Sequence, residues 1–180
     1  MDVIETSPIV YKSTNCYKIA LVGNTYVGKT TICKTYLGGP DGPTTPTCGT
    51  SFAVKRVYLD GEEVTYTIWD TAGQERYNSL LPMYIRDSDA ILVVYSLNDL
   101  DSFCALGKWL TYVVDGSPDA LIYLVGTKSD LVGSIVVTKQ MINEAMSYPL
   151  FEINSFSIED VNGIFEAIGD AFVARKRELT

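Results

Sequence analysis

Residues 23–30 read Gly-Asn-Thr-Tyr-Val-Gly-Lys-Thr, a match to G-x-x-x-x-G-K-[ST]. Residues of these types at this spacing can hold a polyphosphate. Glycines let successive backbone N–H groups close around oxygen, and a helix starting inside the motif adds its unsatisfied amides and the positive end of its dipole. In that chemistry Asn24, Thr25, Tyr26, Val27, Gly28 and Thr31 lend backbone to the phosphates, and Lys29 reaches the β- and γ-phosphates. The Thr30 hydroxyl ligates Mg2+. A plain glycine turn is the competing reading, and the loop alone leaves ATP and GTP users open.

A cradle of this kind needs a strand to deliver the loop and a helix to receive it. The apolar run 16–23 and the helix-spaced "KTTICKTYL" supply both. After a stretch rich in glycine and proline, "SFAVKRVYLD" and "EEVTYTIWD" alternate polar and apolar residues around Asp60-Gly61, a strong hairpin signal that predicts two antiparallel strands. Continuous apolar runs at 90–97 and 120–127 predict buried strands, and 150–153 a short last one. Helical spacing is expected over 79–86, 101–114, 138–147 and 158–177. The pattern is α/β: a six-stranded, mostly parallel sheet with one antiparallel strand and helices on both faces. Ligands on such sheets bind beyond the carboxyl ends of the strands, where the motifs fall. One domain is expected over 11–177, with 1–10 a short N-terminal extension.

The whole chain narrows the chemistry further. Its 180 residues suit one domain, and 47% hydrophobic with 20% charged residues is ordinary for a water-facing globule. No run of apolar residues is long enough to span a bilayer, and the N-terminus lacks the apolar stretch of a signal peptide, so a cytoplasmic setting is expected. A net charge of −8 argues against a nucleic-acid partner. Cys16, Cys33, Cys48 and Cys104 form no C-x-x-C pair and are read as reduced thiols. With no histidine, Ser/His and Cys/His nucleophilic catalysis is excluded.

Two further motifs, "IWDTAGQERY" at 68–77 and "GTKSDL" at 126–131, each follow a strand. With the phosphate loop they make the chain resemble the Ras superfamily of small GTPases over essentially its whole length, most closely the Rab branch. The resemblance implies a P-loop NTPase small G domain. It implies that Asp70 holds Mg2+ through water, that Thr47 closes over Mg2+ and the γ-phosphate, that the Gly73 amide meets that phosphate, and that Gln74 orients the attacking water. Gln74, Lys29 and Thr47 are then the catalytic set, and Thr30, Thr47 and Asp70 the metal set. Guanine would be read by Thr127, Lys128, Asp130, the Ser155 amide and Phe156, with Thr127 in place of the more usual asparagine. Phe52, Trp69 and Tyr84 match an aromatic triad that Rab proteins use for effectors. An exchange factor, an activating protein and effectors are the implied partners of a monomeric GTP/GDP switch that regulates vesicle traffic. Because no arginine finger is visible, GTP hydrolysis is expected to be slow without an activating protein. Membrane contact is expected only through a lipidated tail that this chain does not contain, with the cytosolic face of endomembranes as its station.

The pattern breaks in three places. Tyr26 stands where the family has glycine, or alanine in the Rho branch; since alanine is tolerated there, a positive φ is not required and the ring is expected to project from the loop. The segment 38–46 lacks the aromatics that pack against guanine and cover the phosphates. "FEINSFS" replaces the family's E-T-S-A-K, with Phe156 in place of lysine. Tyr26 is expected to substitute in part for the lost aromatics. A catalytically impaired pseudo-GTPase scaffold is the alternative function, and an ATP-dependent kinase would need an arginine-bearing lid that the sequence does not show.

Overall fold

Ile19 and Leu21 turn to one side of β1 (Cys16–Val22), Ala20 and Val22 to the other, and all four are fully buried. β4 (Ala90–Ser96) repeats the arrangement, with Leu92 and Val94 on the first side and Ile91, Val93 and Tyr95 on the second. A strand buried on both faces must be apolar throughout, which is why these runs show no alternation. The computed structural model describes residues 15–38, 50–71, 81–145 and 147–178.

β1 and β4 lie at the middle of a six-stranded sheet of order β2-β3-β1-β4-β5-β6, completed by β2 (Thr50–Leu59), β3 (Glu62–Thr71), β5 (Leu121–Thr127) and β6 (Leu150–Glu152). Only β2 is antiparallel to its neighbour. The β2–β3 hairpin turns on Asp60 at φ 51 and Gly61 at φ 81, the left-handed pair that a two-residue turn requires to match strand twist.

Helices cover both faces. α1 (Lys29–Leu37) and α6 (Ile158–Glu178) pack on the first, where Tyr36 stacks on Phe165 and Ile32, Ile164 and Ile168 fill the space beneath. α2 (Leu81–Ile85), α4 (Leu106–Gly116) and α5 (Lys139–Ala145) pack on the second through Leu81, Ile85, Leu106, Trp109, Val113 and Ile142. Each large aliphatic side chain buried in this way contributes roughly 1.5–3 kcal/mol relative to exposure.

The helix expected over 101–114 is in fact two, α3 (Leu100–Cys104) and α4, divided at Ala105. Ser102 explains the division. Its hydroxyl donates to the Asp99 carbonyl at 2.7 Å and accepts from the Ser96 amide at 2.9 Å, tying the first turn to the end of β4. A serine bonded back to its own turn bends a helix. Asp99 starts α3 by accepting from the amides of Asp101 and Ser102. The helix expected over 79–86 is α2, five residues long; 79 and 80 lie outside the described residues.

Candidate functional site

The phosphate loop leaves the carboxyl end of β1 and passes so close to β4 that a Cβ on Gly23 would lie 2.0 Å from the Val94 carbonyl oxygen. Only glycine fits there. Gly28 has φ 100 and caps α1 without a side-chain hydrogen bond, and no acidic residue occupies the first turn of that helix. A helix start of this kind suits an anion. Val27 is fully buried and Thr31 nearly so, while Asn24 and Thr25 are half-buried.

Lys29 is 5% exposed, and its ammonium donates to the carbonyls of Gly23 at 2.9 Å and Asn24 at 2.7 Å. Burial pulls its pKa down to about 8, against the opposing pull of the Asp70 carboxylate and the Cys33 thiol. A polyanion beside it would favour the charged form. Thr30, at the start of α1, donates its hydroxyl to Asp70 Oδ2 at 2.6 Å, although the two are 40 residues apart. Asp70 sits near the end of β3, 2% exposed. Thr71, next along β3, donates to the Leu21 carbonyl at 2.7 Å and fixes the strand end against β1.

A hydroxyl and a carboxylate converging at this helix start are hard oxygen ligands. Among the described residues no cluster of three or more His, Cys, Asp or Glu side chains could hold a metal. Two protein oxygens with room for water and phosphate suit Mg2+, which keeps most of its hydration shell, and the residues present fit that ion.

Tyr26 corrects an expectation. Its φ is 64, in the left-handed region, and the residue is 71% exposed. The backbone takes positive φ here although the residue carries a Cβ. A residue with a Cβ in that region costs about 1 kcal/mol.

At the end of β5, Thr127 is fully buried, with its hydroxyl 2.5 Å from the Val27 carbonyl and 3.0 Å from the Tyr95 carbonyl. The threonine thus joins β5 to the phosphate loop and to β4. Lys128 follows at φ 63, and Asp130 is exposed just beyond. The loop after β6 is tied to the loop after β5 by Ser129 N–H to Ile153 O at 3.1 Å, and to β5 itself by Ile153 N–H to Gly126 O at 2.8 Å. Ser155 is 4% exposed and its carbonyl accepts from Thr35 of α1 at 2.7 Å; Phe156 is 59% exposed.

The aromatic trio assembles across the sheet edge. Phe52 faces Trp69 in the β2–β3 register with ring centroids 5.5 Å apart, and Trp69 lies 6.2 Å from Tyr84 of α2. Lys18 Nζ stands 4.9 Å over the Trp69 ring. Thr47, Gly73 and Gln74 lie outside the described residues, as does Cys48.

Sequence reasoning missed Trp109. Buried in α4 at 4% exposure, its indole N–H donates to Asn24 Oδ1 at 2.8 Å. The Asn24 carbonyl in turn holds Lys29. A buried tryptophan usually finds a partner for its N–H, and that tendency was the one available signal.

A family model described as "Ras family" matches residues 18–173. Two proteins of Dictyostelium discoideum are similar over most of the chain. One is named "Ras-related protein Rab-24", 37% identical over 169 residues, covering 91% of this chain and 84% of that protein. The other is named "Putative ras-related protein Rab-5B", 35% identical over 156 residues, covering 84% of this chain and 73% of that protein.

Proposed function

The chain belongs to the Ras family, and from that premise we propose a Rab-like switch, one G domain over 11–177, that binds GTP and GDP with Mg2+ and slowly hydrolyses GTP. The observation that carries the reading is the meeting of Lys29, Thr30 and Asp70 at the start of α1, delivered by β1, α1 and β3. Lys29 would exchange its two carbonyl partners for phosphate oxygens. Thr30 and Asp70 would hold Mg2+, whose contribution when bound is to neutralise charge on the phosphates. Thr47 and Gly73 would close over the γ-phosphate and Gln74 would orient water. Lys128, Asp130 and the Ser155 amide would read guanine, with Thr127 holding their loop against the phosphate loop. Tyr26 would lay its exposed ring over phosphate or ribose. Phe52, Trp69 and Tyr84 would present the effector surface, and vesicle traffic at the cytosolic face of endomembranes is the process served.

Labelled GTP, GDP and ATP binding with Mg2+, followed by single-turnover phosphate release from wild type and Gln74→Leu, tests this. Guanine-selective binding is expected, with slow release that Gln74→Leu lowers tenfold or more. Binding that ignores the base, or release that ignores Gln74, would favour the scaffold reading instead.

A further inference from the structure

α2 is five residues long, too short to persist alone, so its place depends on what holds it. Leu81 and Ile85 are buried, and Ile85 meets α4 where Gly116 leaves no room for a side chain: a Cβ there would lie 2.6 Å from Ile85 Cδ1. At Asp87 a φ of 57 turns the chain out of the helix. The last turn contains no basic residue, and the Arg86 guanidinium just beyond it lies 3.7 Å from Asp87 Oδ2. A cation for this helix end comes instead from the sheet. Lys18 of β1 donates its ammonium to the Arg86 carbonyl at 2.7 Å.

The same ammonium stands 4.9 Å from the centroid of the Trp69 ring on β3, and Tyr84 of α2 lies 6.2 Å from that ring. One charge therefore bridges the middle ring of the aromatic trio and the helix that carries its third member. Lys18 is itself firmly placed. Its amide donates to Asp89 Oδ2 at 2.7 Å, and its carbonyl accepts from the Asp89 amide at 2.8 Å. A cation suits both the carbonyl end of a helix and the face of an indole, and here it meets the two at once.

We propose that Lys18 is the positioning residue of the aromatic surface: it couples the place of α2 to that of the Trp69 ring, so that Trp69 and Tyr84 present one face or come apart together. This rests on the reading of Phe52, Trp69 and Tyr84 as the surface that meets effectors. It adds a group outside the trio on which the geometry of the trio depends.

Lys18→Met keeps an unbranched stem and removes the charge, whereas Lys18→Arg keeps a cation able to donate and to lie over a ring. Both are made in the full chain in the Trp109→Phe background, where Trp69 is the remaining tryptophan. Two quantities are measured: hydrogen exchange of the Arg86 and Ser88 amides, which donate to the Pro82 and Ile85 carbonyls, and acrylamide quenching of the Trp69 emission. In Lys18→Met both amides should exchange about tenfold faster, the loss of one charge-assisted hydrogen bond, and quenching should rise with them. Amides of β4 and β5 should keep their protection, and Lys18→Arg should hold both readings near wild type. Exchange or quenching that does not move in Lys18→Met, a loosening shared by the whole sheet, or equal loosening in Lys18→Arg overturns the assignment. None of these readings needs a partner, so effector binding that ignores Phe52, Trp69 and Tyr84 overturns the reading of the surface instead.

Discussion

Tyr26 holds a backbone conformation that glycine adopts without penalty, and it exposes most of a large ring in doing so. Neither fact favours stability: the left-handed φ costs about 1 kcal/mol, and an exposed ring recovers little of it by burial. Such strain persists where function retains it. Tyr26→Gly is therefore expected to raise the unfolding free energy of the nucleotide-free protein by about 1 kcal/mol, read from the denaturant midpoint. The same substitution should speed nucleotide dissociation several-fold if the ring covers phosphate or ribose. An unchanged dissociation rate would remove that role. Lys29, Thr30 and Asp70 were legible because phosphate chemistry dictates residue types at short spacing. The φ at Tyr26 was not, because a backbone angle is set by where the loop must point and not by the residue that occupies it.

At the scale of elements, α4 reaches the phosphate loop through one hydrogen bond, Trp109 to Asn24, across 85 residues of sequence. Because the Asn24 carbonyl also holds Lys29, the helix bears on the lysine's resting place. Trp109→Phe keeps an aromatic ring and deletes the donor. It is expected to cost about 1–2 kcal/mol of stability and to weaken nucleotide binding, since Asn24 Oδ1 loses its partner. In a double-mutant cycle with Asn24→Ala the two costs should fall short of additive by about 1 kcal/mol; full additivity would mean that the contact carries no energy. The hairpin was legible from Asp60-Gly61, whose positive φ values are intrinsic to the turn. The break at Ala105 and the Trp109 contact were not, because Ser102 and Trp109 find their partners only after β4 and the phosphate loop are in place.

At the scale of the molecule, buried phenols tie stability to alkaline pH. Burial pushes Tyr36 up to about 12 and Tyr66 and Tyr95 higher still, all above the value of about 10 expected in an unfolded chain. Folding therefore favours the neutral phenols. Their contribution is fully present below about pH 10 and is lost as pH rises through the folded values, because the unfolded chain releases those protons first. Absorbance at 295 nm should show these three ionising together with unfolding; their ionisation in the native state, ahead of unfolding, would contradict the packing. The sheet order itself was legible only as a class, since an apolar run shows that a strand is buried without saying which neighbour buries it. The two tryptophans divide the molecule between them. Trp69 stands in the aromatic trio at the sheet edge, and Trp109 touches the phosphate loop. The protein thus carries two indole fluorophores in separate places, and under excitation selective for tryptophan, replacing either with phenylalanine leaves emission that reports on the other alone.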